Sequence, residues 1–200
     1  MSTFRIDLPD ADTLRQIEND APPALKQHFD LIKGGLEAIP DVPGEAIYSA
    51  VTLRTIAHRP EVFIHLFLTE HYATKQGQVD TQTKELLALL ISEEIEGQET
   101  PACGPYHAGA AQFEGASDDA VALVRDFDNR KHELPHRQRA AIEFGRKAAL
   151  DPTEITDEDV AALKEQGFTD DQLVELTLSG LVAYTLAAVN QVFDLREGEG

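Results

Sequence analysis

Apolar side chains along this chain recur at the three-to-four-residue spacing that puts them on one face of an α-helix. Leu25, Phe29, Ile32 and Leu36 form one such face after Pro22-Pro23, and Pro40 closes it. Ile47, Ala50, Leu53, Arg54 and Ala57 predict a second helix over Ala46 to Ala57. Pro60 suits the first turn of a third, through Val62, Phe63, Leu66 and Phe67 to about Tyr72. Asp80 is placed to cap a fourth, whose Leu86 to Ile91 run is apolar all round and therefore has to be enclosed. A short helix follows from Cys103 to about Glu114, stopped by Gly115, with Ser117 capping the next. Pro135 opens another, with Ala140, Ala141, Phe144 and Ala148 on one side.

Thr156 and Thr169 each begin a capping-box pattern, and Gly167 ends the helix between them. The second box launches a long helix through Leu173, Leu176, Leu181, Tyr184 and Val189 to Phe193. No stretch alternates as a strand between hairpin turns. The predicted fold is all-α, one domain of about eight helices. We divide it into an N-terminal extension (1–21), N-terminal helices (22–79), a central core (80–126), C-terminal helices (135–194) and a tail (195–200).

Charge narrows the function. Seventeen Lys and Arg stand against 36 Asp and Glu, a net charge of −19 over 200 residues. Such a surface repels phosphate backbones and anionic lipids, so neither nucleic acid nor membrane is an expected partner. Leu178 to Phe193 is interrupted by Ser179, Gly180, Thr185, Asn190 and Gln191, and reads as too short for a membrane span. The first residues have no apolar signal region. One cysteine excludes an intrachain disulfide, and the expected compartment is cytoplasmic.

Two places carry candidate chemistry. Pro105 has no amide proton, so Cys103 stands at or beside a helix N-terminus, where unpaired amides lower a thiol pKa. His107 is one turn further along the same face and can exchange a proton with it. The competing reading is a small buried cysteine beside a capping histidine. Glu85 borders the all-apolar run. It is either an exposed first-turn carboxylate or a buried one with an altered pKa. His132-Glu133-Leu134-Pro135-His136 spells a zinc-protease motif, but Pro135 breaks the helix that motif needs, so no metal site is expected. His28, His58, His65 and His71 show no ligand spacing. Tyr72 and Tyr184 read as core or interface residues. The acidic clusters at Asp118-Asp119 and Asp157 to Asp159 suit helix first turns.

Lys84 to Ser92 resembles the signature helix of the alkylhydroperoxidase D and carboxymuconolactone decarboxylase family, whose motif is Glu, then Cys-x-x-Cys, then three residues and His. With Cys103 as the second cysteine, His107 falls correctly. His107, Ala111, Gly115, Ala116 and Ser117 then repeat the family's pattern without a gap. Pro43, His58-Arg59-Pro60, Asp151-Pro152, Ile155 to Val160 and Gly167 to Asp171 resemble the family's longer, peroxidase-related branch. The sequence departs at two points. Glu85 is three residues further from Cys103 than in the family, and Thr100 stands at the first cysteine.

The resemblance implies an alkylhydroperoxidase D-like fold without cofactor. Cys103 would attack a hydroperoxide, Glu85 and His107 would relay protons, and Thr100 and Tyr106 would be secondary. Thr100 cannot form a disulfide, so an external thiol, lipoyl-type or thioredoxin-like reductant, or a second subunit's Cys103, would have to resolve the sulfenic acid. The apolar last helix and the family's habit both imply a homo-oligomer. The alternatives are a cofactor-free lyase of the decarboxylase kind, using His107 and Glu85 with Arg54 or Arg59 holding an anionic lactone, and a degenerate member acting as redox sensor or structural protein.

Overall fold

A computed structural model describes residues 4–37, 41–97 and 102–196. Among them are eleven α-helices, with short 3-10 and π segments and no strand. The architecture is the expected all-α one, with more and shorter helices than the eight predicted. The segment read as an extension contains helix α1 (Ala11–Asp20). Asp10 caps it by accepting from the Thr13 amide, and Leu14 and Ile17 are buried. Helix α2 is Pro23–Glu37. The single helix expected over Ala46 to Ala57 is broken at Ala50 into a 3-10 turn, Gly44–Ser49, and α3 (Val51–Ile56). Ala50 leaves helical geometry with ψ 118°, which interrupts the backbone ladder. Helix α4 (Pro60–Glu70) runs straight into a π-helical turn, His71–Lys75.

Helix α5 (Thr81–Glu96) is the axis of the molecule. Leu86, Leu87, Leu89 and Ile91 are wholly buried on it, as its unbroken apolar run requires. Helices α6 (Gly104–Phe113), α7 (Asp118–Arg125), α9 (His136–Leu150) and α11 (Asp170–Phe193) pack around it. The short α8 (Phe127–Arg130) and α10 (Asp157–Glu165) complete the C-terminal half. Ser117, Thr156 and Thr169 cap their helices as predicted, the last two in full capping boxes. Helices α9 and α11 cross in very close contact. A Cβ on Gly180 would lie 2.7 Å from the Gly145 carbonyl oxygen, and one on Gly145 would meet Leu87 at 2.4 Å.

Two large apolar clusters result, beside a small third one of Phe4, Val51, Ala102 and Leu195. One surrounds α5 with α7, α9 and α11. The other joins α1, α2 and α4, with Phe29, Phe63 and Phe67 at its centre and the Phe63 and Phe67 rings stacked 4.2 Å apart. Cys103 belongs to the second cluster, whereas Ala108 and Ala111, further along α6, belong to the first. Helix α6 therefore bridges the seam between the two.

Helix α11 corrects the expectation drawn from its interruptions. It is long and apolar enough to cross a membrane by length and composition, with mean hydropathy 1.5 in its most apolar stretch, half of which is buried inside the protein. Its packing on α5 and α9 accounts for that apolarity as a core helix. Tyr72 and Tyr184 are not core residues, being 60% and 39% exposed. His132 lies in a 3-10 turn (Lys131–Glu133) and His136 starts α9 after Pro135, so the two fall on different elements. No cluster suited to a metal ion occurs among the described residues.

Candidate functional site

Cys103 is the N-cap of α6, as its proline predicts, and is buried. His107 follows one turn later, its amide bonded to the Cys103 carbonyl at 3.1 Å. Across the seam, α5 presents Glu85, which is fully buried and not in the exposed first-turn position. One carboxylate oxygen meets Nδ1 of His107 at 2.8 Å, and the other takes a hydrogen bond from Lys75 Nζ. Burial alone would raise the Glu85 pKa. The Lys75 charge and the His107 hydrogen bond reverse this and hold it at about 2. An ionised carboxylate only accepts, so Nδ1 of His107 carries the proton and Nε2 is left for exchange.

Lys75 reaches this position from the π turn. Such a turn adds a residue to the helical repeat and redirects the side chains that follow it. The next segment is pinned by a second buried pair. Lys84 donates to Glu175 and to the Gln76 carbonyl, while Glu175 accepts from the amides of Gln78, at 2.8 Å, and Val79. Lys75 itself is forced further towards its charged form, since the attraction of Glu85 outweighs its burial.

The sulfur has its own set of partners, drawn from elements far apart in sequence. Asn190 of α11 donates from Nδ2 to Cys103 Sγ at 3.1 Å and to Glu96 at 2.8 Å. Thr52 of α3 donates to Asn190 Oδ1 at 2.7 Å and stands 3.9 Å from the sulfur. Glu96, the last residue of α5, accepts from the Ala102 and Cys103 amides. Burial and the Glu96 charge push the Cys103 thiol well up, against the smaller opposing pull of the Thr52 and Asn190 hydrogen bonds. This overturns the expected low-pKa thiolate. The helix terminus is where the sequence puts it, but its effect on the thiol is outweighed by lost solvation and a carboxylate.

Cys103, Tyr106 and His107 line one cavity of about 300 Å³, the lower end of the range for small-molecule pockets. Its walls are mostly apolar, with Ile32, Leu36, Leu53, Phe67 and Leu186 among them. Glu70 also faces it, with one oxygen 3.3 Å from Nε2 of buried His28. The His28 and His71 rings lie 5.4 Å apart, so two histidines that show no sequence spacing are neighbours here. Thr100 lies outside the described residues. Arg54 is bonded to the Pro9 carbonyl and Arg59 to Glu61, and neither lines the cavity.

Thus the structure brings together Cys103, His107, Glu85 and Tyr106. Sequence reasoning missed Lys75, Asn190, Thr52, Glu96, Glu70 and His28. Asn190 left a faint signal, as one of several polar side chains that interrupt the apolar run of its helix. Lys75 left none, because its position depends on the π turn.

No family model and no curated protein matches the chain. Among solved structures it is similar to an uncharacterised peroxidase-related protein from Ralstonia eutropha, described as an alkylhydroperoxidase D core. The TM-score is 0.67 at 17% identity, covering 98% of this chain and 93% of that one. The chain thus has the alkylhydroperoxidase D-like fold, over nearly its whole length.

Proposed function

We propose that the protein is a thiol-dependent oxidoreductase that reduces an organic hydroperoxide through Cys103. The observation that carries this reading is the convergence of Cys103 and a Glu85-backed His107 on one apolar cavity. The sulfur attacks the terminal peroxide oxygen and the O–O bond breaks. Cys103 becomes a sulfenic acid, oxidised by two electrons, and the peroxide leaves as an alcohol. The thiol proton ends on that alcohol, with Nε2 of His107 as the carrier and Glu85 holding the ring. One external thiol then forms a mixed disulfide with Cys103 and releases water. A second, or the other arm of a lipoyl-type dithiol, restores the cysteine.

The proposal extends to a homo-oligomer working in a reducing, cytoplasmic setting. The lyase alternative needs cations for an anionic lactone, and the cavity's neighbouring lysine is already engaged by Glu85. The test is anaerobic consumption of cumene hydroperoxide with a dithiol reductant, together with dimedone trapping of the sulfenic acid. Expected is turnover lost in Cys103→Ser and reduced in His107→Asn. Peroxide consumption that survives Cys103→Ser would remove the proposal, as would absent trapping.

A further inference from the structure

Glu70 and Tyr106 have no part in the proton transfers above, yet both open onto the same cavity. Glu70 is 4% exposed, and the ionisable side chain closest to its carboxylate among the described residues is His28. His28 is itself wholly buried behind it, with its Nε2 within ion-pair distance but not aligned for a hydrogen bond. The Tyr106 hydroxyl is buried and has no aligned hydrogen-bond partner among the described residues, with the Lys75 ammonium as its nearest cation. An unpaired buried hydroxyl costs free energy in the empty protein, and a ligand that pairs it recovers that cost. Burial and the nearby Glu85 and Glu70 charges raise the phenol, outweighing Lys75, so it stays a donor. Glu70 is held below the usual carboxylate range by His28, Lys75 and His107 despite its burial, so it stays an acceptor. The rest of the lining is predominantly apolar.

We propose that Glu70 and Tyr106 form a head-group site in this cavity, selecting an uncharged apolar molecule that ends in a hydroxyl or hydroperoxyl group. Tyr106 donates to the ligand oxygen and Glu70 accepts its O–H. His28 is the positioning residue that holds Glu70. A ligand ending in a carboxylate is rejected, because it brings a second anion to Glu70 and has no proton to give. This selectivity deepens the peroxidase reading by naming its substrate class, but it is read by binding and not by turnover.

The probes are cumyl alcohol, cumyl methyl ether and the cumyl carboxylate anion, titrated calorimetrically into the full-length protein. The wild type is expected to bind the alcohol about tenfold or more tightly than the ether, the ratio expected for one hydrogen bond to a charged acceptor. The carboxylate should bind weakest. Glu70→Met should erase the alcohol–ether gap, while Tyr106→Phe should weaken both and leave the gap intact. A general loss of folding cannot produce that crossed pattern. The wild-type series stands alone if Glu70→Met does not fold. Equal binding of alcohol and ether, tightest binding of the carboxylate, or no binding of the alcohol would each overturn the inference. Selective binding without peroxide turnover would remove the proposed function and leave this site standing. Turnover without selectivity would do the reverse.

Discussion

Replacing Lys75 with methionine removes one charge from a largely buried pair and leaves the other, Glu85, wholly enclosed. Among the described residues Lys75 and His107 are the partners of the Glu85 carboxylate, and its pKa is held at about 2, against an ordinary 4.5. A carboxylate whose folded pKa is depressed stabilises the fold above its unfolded pKa. It loses that contribution as pH falls through the folded value. The difference corresponds to about 3 kcal/mol, present above pH 4.5 and declining by about 1.4 kcal/mol per pH unit towards pH 2. Breaking a buried pair from one side costs a comparable ~3–5 kcal/mol. Lys75→Met is therefore expected to unfold at a lower urea concentration at neutral pH. Its deficit should shrink as pH drops below 4.5, where the wild type loses the same contribution. The double variant Lys75→Met/Glu85→Leu should recover much of the loss, because no buried charge is then left alone. Urea titrations of the three proteins between pH 3 and 8 give the comparison. A deficit that does not change with pH, or a Lys75→Met protein as stable as the wild type at pH 7, would refute the charge argument.

Gly180→Ala should lower stability by roughly 1–3 kcal/mol, since its Cβ would sit 2.7 Å from a backbone oxygen that cannot rotate away; scanning calorimetry would show it. The Cys103 thiol should titrate above the ordinary thiol range by ultraviolet thiolate absorbance, with Glu96→Gln bringing it down and Asn190→Leu pushing it further up. Peroxide reactivity of the free enzyme should accordingly rise with pH through that range. Val174, Leu178, Leu181 and Val192 form an exposed apolar stripe on α11, and the stretch Leu176 to Phe193 carries no charge in a chain of net −19. A second copy of this uncharged stripe is the occupant we expect on it, so Leu178→Glu/Leu181→Glu should reduce the mass measured by light scattering.

Helix positions were legible where a local rule fixes them. Asp80, Ser117, Thr156 and Thr169 cap their helices because a short polar side chain before an apolar repeat has one strong use there. The burial of α5 followed from its lack of a polar face. The break at Ala50 was not legible, because the apolar spacing runs through it unchanged and only the packed backbone shows the turn. The Cys103–His107–Glu85 set was visible from spacing and resemblance. Its supports were not, since Thr52, Glu96 and Asn190 meet only when α3, α5 and α11 converge on the start of α6. The sign of the cysteine's pKa shift was misread for the same reason. A helix terminus is a local feature, whereas desolvation and the Glu96 charge are tertiary ones.

The two acids of the site show how burial is turned in opposite directions. Desolvation raises both, yet Glu85 ends near 2 and Cys103 ends well above an ordinary thiol. The sign of the nearest charge decides the difference. Glu85 faces Lys75 and His107, whereas Cys103 faces Glu96. One carboxylate is thereby kept charged to hold a histidine tautomer, and one thiol is kept protonated until a reactant arrives. Groups driven apart in this way are suited to the separate tasks of orienting a proton carrier and supplying the proton. A resting thiol that stays neutral and buried is also a poor nucleophile towards disulfides in bulk solvent. Within the proposed reaction, selectivity then rests on what the apolar cavity admits to the sulfur, and not on a permanently activated thiolate.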